Sequence, residues 1–164
     1  MITGINHVGL SVTNLDRSIK FYRDAFHLEV IAEQPFSGGL YEQIMGLPGT
    51  SGRAALMKNG SLQLELFEFC SPQPKSRERL RSVHEYGISH FCVEVVDIEE
   101  EYDRLKRYGV SFHCAPLDFR GEAKATYGRD PDGNIFELWE RGSVERSKSR
   151  RQATGALGCS STTP

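Results

Sequence analysis

Residues 5–12 (INHVGLSV) and 88–95 (ISHFCVEV) decide how this chain reads. Each sets a histidine, His7 or His90, at the head of a short stretch of alternating side chains. His7, Gly9 and Ser11 alternate with Val8, Leu10 and Val12, and His90, Cys92 and Glu94 alternate with Phe91, Val93 and Val95. Strand side chains change faces at every residue. Each stretch therefore has one wholly apolar face, fit to pack under a helix, and a second face that carries the histidine. Each also has a later companion, residues 62–69 (LQLELFEF) and 134–141 (NIFELWER). There Glu65 shares a face with Gln63 and Phe67, and Glu137 shares one with Ile135 and Trp139. Burying an unpartnered carboxylate among apolar and aromatic neighbours costs several kcal/mol, so a metal or other cation is its natural partner.

The remaining elements follow in a repeated order. Asn14 and Asp16 offer caps for a helix running to about His27, with Leu15, Ile19, Tyr22 and Phe26 at helical spacing. Residues 28–36 predict a strand. A glycine-rich loop over 37–52 holds a short strand around 41–45, and residues 54–57 and 62–69 form a hairpin turning at Asn59-Gly60. In the second half, residues 87–96 form a strand, Asp97 caps a helix through Tyr108 and Gly109 stops it. A short strand over 110–114 precedes a hairpin of 122–127 with 134–140 around Asp130-Pro131-Asp132-Gly133. The fold class is α+β: tandem βαβββ modules, over about 1–69 and 87–141, forming a curved, partly closed mixed-sheet cup with helices outside. Together they make one domain over 1–141. The linker, residues 70–86, is punctuated by proline and then charged and helical. Residues 142–164, rich in Ser, Arg, Gly and Thr, predict a disordered tail.

Bulk properties exclude several classes. The chain has 164 residues, with Lys plus Arg at 20 against Asp plus Glu at 22, a formal net charge of -2. No global basicity points to nucleic acid or an anionic membrane. No apolar run approaches the roughly 18–20 residues that span a bilayer. Met1 leads directly into a strand pattern without the regions of a signal peptide, which predicts a cytoplasmic protein. Cys70, Cys92, Cys114 and Cys159 lack the spacing of a zinc finger or a disulfide framework and read as buried or incidental thiols.

Three segments carry a family resemblance: residues 7–30 (HVGLSVTNLDRSIKFYRDAFHLEV), 88–110 (ISHFCVEVVDIEEEYDRLKRYGV) and 127–140 (YGRDPDGNIFELWE). The chain, over residues 5–141, resembles the vicinal oxygen chelate superfamily. That superfamily includes glyoxalase I, methylmalonyl-CoA epimerase, extradiol dioxygenases and the fosfomycin- and bleomycin-resistance proteins. The resemblance implies metal ligands at the start of each module's first strand and within its last strand, here His7, Glu65, His90 and Glu137. Two histidines and two glutamates match the ligand types of glyoxalase I. They suit one divalent ion such as Ni, Co, Zn, Mn or Fe, with two positions of an octahedral site left for water or substrate oxygens.

The implied chemistry is that of a glyoxalase I-like lyase or isomerase. A small substrate with adjacent oxygens chelates, a metal-stabilised enediolate forms, and a glutamate, Glu137 by preference with Glu65 as its counterpart, moves the proton. Arg17, Arg120 and Arg129 are candidate contacts for an anionic group on the substrate. Alternatives remain open. Methylmalonyl-CoA epimerases share the enolate logic, although many carry glutamine where this chain has Glu65. Extradiol dioxygenases use Fe(II) with two histidines and one carboxylate, and Tyr127 matches their active-site tyrosine. Their signature also has a histidine several residues earlier, which residues 117–120 do not supply. Fosfomycin-type thiol transfer uses two histidines and one glutamate, and resistance-type members bind a drug without catalysis. A homodimer is expected, and the site lies either within one chain or between two.

Overall fold

The computed structural model describes residues 1–74 and 80–142. The first module runs β1 (Val8–Ser11), α1 (Leu15–Phe26), β2 (Glu29–Ser37), α2 (Gly39–Met45), β3 (Ser51–Asn59) and β4 (Leu62–Ser71). The second runs β5 (Phe91–Glu94), α3 (Ile98–Arg107), β6 (Ser111–Phe112), β7 (Leu117–Asp118), β8 (Ala123–Arg129) and β9 (Ile135–Arg141). Hydrogen bonding gives each module its own mixed sheet, ordered β1-β4-β3-β2 and β5-β9-β8-β6, with β7 pairing β8 at the side. In both sheets the first strand lies parallel to the last and the other pairs are antiparallel. The duplicated order expected from the sequence is thus present, as two sheets that no ladder joins among the described residues.

Local chemistry explains where helices begin. The Asn14 side chain accepts a hydrogen bond from the backbone N–H of Arg17 at 2.8 Å, a regular N-cap for α1. His27 closes that helix at φ 55°. Asp97 stands at the cap position of α3, but its side chain makes no capping bond. Instead the Glu140 carboxylate reaches across from β9 and accepts from the backbone N–H groups of Asp97 (3.2 Å) and Ile98 (3.4 Å). A buried acid from a strand thus takes the place of the local cap and ties α3 to its sheet.

Three further points differ from expectation. Residues 41–45 belong to helix α2 rather than to a short strand. Gly38 and Gly46 bracket it, both at positive φ, and good helix formers between them close a turn that alternation alone does not reveal. Residues 80–86 of the linker form an irregular stretch with a turn at 83–84 rather than a helix, and residues 75–79 lie outside the described residues. There Arg81 donates to the carbonyls of Ile88, Glu85 and Tyr86, which satisfies the chain without helical pairing. Strand β7 is an addition, two residues long in a stretch without alternation. The expected tail after Gly142 lies outside the described residues.

One apolar core serves both modules. Leu10, Leu64 and Leu66 of the first sheet and Leu15, Tyr22 and Phe26 of α1 cluster with Phe91, Phe136, Leu138, Ile98 and Leu105 of the second module. The Phe26 ring stands edge-on to Phe136 with centroids 5.0 Å apart. Burying each such side chain contributes roughly 1.5–3 kcal/mol. Glu65 lies between the buried Leu64 and Leu66, and Glu137 lies between the buried Phe136 and Leu138. Strand alternation then turns both carboxylates away from the shared core.

Candidate metal centre

His7 and His90 occupy equivalent places, each one residue before the first strand of its module. Parallel pairing sets Gly9 beside Glu65 and Cys92 beside Glu137, so each carboxylate comes up next to the strand that follows its histidine. His7 Nε2 lies 3.0 Å from Glu65 Oε2, and His90 Nε2 lies 3.1 Å from Glu137 Oε2. The side chain of Glu65 is 27% exposed and that of Glu137 14%, so the second pair is the more enclosed.

Both imidazoles are held from behind by the preceding residue. His7 Nδ1 is 2.9 Å from Asn6 Oδ1, which also accepts from Gln63 Nε2 at 3.0 Å. His90 Nδ1 is 2.9 Å from Ser89 Oγ. With Nδ1 engaged, Nε2 is the nitrogen turned to the carboxylate and to any ion placed there. Sequence reasoning passes over Asn6, Gln63 and Ser89. The available signal is a hydrogen-bonding residue immediately before each duplicated histidine.

The four expected ligands therefore form two pairs, one per sheet. Among the described residues, no group of three or more His, Cys, Asp or Glu side chains gathers as a metal-holding cluster. The donor chemistry fits a divalent first-row ion at each pair: one imidazole nitrogen and one carboxylate oxygen, half-buried and oriented. Each pair supplies half of the expected ligand set.

The surroundings of the second pair are polar but not basic. Although Cys92 reaches solvent, partial desolvation of its sulfur against the sheet, and then the Glu137 carboxylate, which accepts its hydrogen bond, push the thiol up to about 12, so it stays protonated at neutral pH. Burial and Glu137 likewise raise Tyr127, keeping it a phenol. Its ring meets that of His90 edge-on at 4.8 Å. His113, 6.1 Å from Tyr127, is held below the usual histidine range by burial and by Arg129. Cys70, Cys92 and Cys114 are free and exposed rather than buried, while Cys159 lies outside the described residues.

Two of the three candidate anion contacts are otherwise engaged. Arg17 pairs with Asp132 Oδ2 at 2.6 Å, and Arg129 donates to the carbonyls of Gly133 (2.9 Å) and Arg81 (2.8 Å). Arg120, exposed at φ 56°, stays at the surface between β7 and β8.

Fold and paired sites together define the class. The chain belongs to the Glyoxalase/Bleomycin resistance protein/Dioxygenase superfamily, whose family model matches residues 4–138. Among curated relatives, the metallothiol transferase FosB of Staphylococcus haemolyticus is 30% identical over 148 residues, covering 88% of this chain and 88% of the relative. Among solved structures, a glyoxalase family protein from Bacillus cereus superposes with a TM-score of 0.78 at 22% identity, covering 87% of this chain and 97% of that one. A mutant of the fosfomycin resistance protein FosX from Listeria monocytogenes, complexed with Mn(II) and 1S,2S-dihydroxypropylphosphonic acid, superposes with a TM-score of 0.59 at 21% identity. That match covers 92% of this chain and 99% of the FosX chain. No helix among the described residues is long and apolar enough to cross a membrane.

Proposed function

We propose that the chain is a divalent-metal-dependent enzyme that moves a proton between adjacent carbons of a small substrate bearing two neighbouring oxygens. This is the lyase or isomerase chemistry of glyoxalase I type. The observation that carries the reading is the duplication of the imidazole–carboxylate contact, His7–Glu65 at 3.0 Å and His90–Glu137 at 3.1 Å. A three-ligand centre has no use for the second glutamate; a proton-transfer site does, because one carboxylate would serve as base while the other would serve as a ligand.

His7, Glu65, His90 and Glu137 would hold the ion, one of Ni, Co, Zn, Mn or Fe. When bound, it would supply Lewis acidity to the two substrate oxygens and so acidify the C–H bond on the carbon next to the carbonyl. The chain's own groups do the rest. Asn6 and Ser89 hold the imidazoles in register. Glu137 takes the proton from one carbon and returns it to the next, and Glu65 is the matching carboxylate on the other half. Cys92 and Tyr127 remain protonated and keep a second base away from Glu137. Because the core turns the two pairs outward, a second copy of the chain completes the set, one pair from each, and the working unit is a homodimer.

The relatives support a second reading. FosB is named a metallothiol transferase and FosX a fosfomycin resistance protein, so transfer of a thiol to fosfomycin is the alternative reaction. One experiment separates the readings. Untagged protein is analysed for bound metals and reconstituted with Mn(II), Ni(II), Co(II), Zn(II) or Fe(II). It is then assayed with 2-oxoaldehyde hemithioacetals, acyl-CoA thioesters, catechols, and fosfomycin with and without a thiol. Turnover of hemithioacetals is the expected result, and turnover of fosfomycin alone would install the second reading. Metal retention with no turnover of any of these leaves a binding protein.

A further inference from the structure

Beyond the His7–Glu65 pair, the same face of the first sheet carries a continuous aromatic surface that the proton transfer does not use. Strand alternation puts Phe67 and Phe69 on the face of Glu65. Register pairs Phe69 with Gly52 and Gly52 with Phe36, so Phe36 joins them on that face. The rings form one cluster. Phe67 and Phe69 stack at 6.0 Å and 23°, while Phe36 stands edge-on to Phe67 at 6.0 Å and to Phe69 at 5.5 Å. Tyr41 of α2 closes the outer side, 5.5 Å from Phe36.

The floor beneath these rings is built from small residues. Ala54 pairs with Phe67, and Gly52 is covered so closely by Phe36 that a Cβ there would stand 2.7 Å from the ring. On β1, Gly9 leaves the edge of Phe67 open, where a Cβ would make van der Waals contact with the ring at 3.6 Å. Phe36 is 3% exposed and anchors the wall, whereas Phe67 and Phe69 are half-buried and still offer ring surface. Charge is absent from this stretch of the face among the described residues: Gln34, Ser11 and Tyr41 are neutral. Lys58, at the far end of β3, pairs with Gln63 on the other side of Glu65. An ionised group would lose its hydration here without a counter-charge, while a flat apolar group would gain ring contact.

We propose that Phe36, Phe67 and Phe69, closed by Tyr41, form the specificity subsite for the chelating substrate and take an aryl substituent in preference to a methyl or an ionised group. The inference rests on the reading of His7–Glu65 as half of a metal site. With the substrate's oxygens at that pair, its substituent lies over Phe67, two residues along the strand.

The test reads binding as well as turnover. Protein loaded with Mn(II) is titrated calorimetrically with benzohydroxamate and acetohydroxamate, which chelate through adjacent oxygens and differ in the aryl group. Benzohydroxamate is expected to bind about tenfold more tightly, and Phe67→Ala to remove most of that ratio while Trp139→Ala leaves it in place. Phe67→Leu, which keeps apolar volume, reads the same loss of ratio should the alanine variant fail to fold. Equal affinity for the two hydroxamates, as when a second copy covers these rings, overturns the inference. So does a ratio that follows Trp139 rather than Phe67, or a protein that retains no metal. A ratio that persists in protein inactive on every hemithioacetal keeps the subsite and removes the proposed reaction instead.

Discussion

The hydroxyl of Tyr22, on α1, donates a 2.8 Å hydrogen bond to Asp130 Oδ2 in the turn between β8 and β9. This contact joins the helix of one module to the hairpin of the other, beside the core they share. Asp130 also accepts from the backbone N–H groups of Asp132 (2.9 Å) and Asn134 (2.7 Å) and from Asn134 Nδ2 (2.9 Å). Burial pushes its carboxyl above the usual carboxylate range, against the pull of those donors, and pushes the Tyr22 phenol well up. The bolt ties α1 of the first module to the β8–β9 turn of the second, beside the core from which strand alternation turns both imidazole–carboxylate pairs away.

Removing one donor from that bolt leaves a buried carboxylate short of a partner. Tyr22→Phe keeps the ring contacts with Phe21 and Phe26 and deletes only the hydroxyl. It is expected to lower unfolding free energy by about 1–3 kcal/mol, read from the urea midpoint at unchanged slope. An unchanged midpoint would mean that the hydroxyl holds nothing together.

Asp132, two residues on, predicts a pH dependence. Burial alone would raise it, but hydrogen bonds from Arg17 and from the Thr13 side chain and backbone outweigh that and hold it below the usual carboxylate range. The unfolded chain therefore binds this proton more readily than the folded one. The stabilisation is complete above the ordinary aspartate value and is lost as pH falls through the lower folded value. Asp132→Asn should lower Tm at pH 7 by the equivalent of about 1–3 kcal/mol. The gap to wild type should close toward acid pH; a gap of constant size from pH 7 down to pH 3 would remove Asp132 as its source.

Much of this arrangement is legible in the residues. Alternation in residues 5–12 and 88–95 places the histidines opposite the apolar faces, and the flanks of Glu65 and Glu137 mark carboxylates that need partners. Helix α2 is not legible because its stop signals are glycines inside a glycine-rich loop, and seven residues are too few to set a period. The separation of the four expected ligands into two pairs is hidden for a different reason. It depends on which faces the modules press together, and that is decided by contacts such as Phe26–Phe136 and Tyr22–Asp130, 108 residues apart in the second case. Local pattern carries no record of a partner that distant.

The residues behind the imidazoles give a prediction separate from catalysis. Asn6 Oδ1 accepts from both His7 and Gln63, so Asn6→Ala frees the ring to rotate and removes its orientation. Affinity for Zn(II), measured by competition with a chromogenic chelator, should fall by about 10–100-fold. Asn6→Asp, which keeps the acceptor oxygen, should restore most of it, and Ser89→Ala should behave on His90 as Asn6→Ala does on His7. Equal affinity in Asn6→Ala and wild type would show that packing alone orients His7.

If one pair from each of two copies builds the site, inactive chains should rescue one another. A chain with His7→Ala and Glu65→Ala has lost the first pair; a chain with His90→Ala and Glu137→Ala has lost the second. Each alone should bind no metal tightly, because every site in its homodimer lacks half the donors. Mixed and allowed to exchange, they form heterodimers in which one site has lost all four donors and the other has kept all four. Metal retained after gel filtration should therefore reappear at about one ion per heterodimer, with activity returning in proportion to the heterodimer formed. A site built within one chain leaves every mixture empty, since neither chain then holds an intact pair of pairs. The outcome discriminates because the two pairs lie in separate sheets and are turned outward by the core between them.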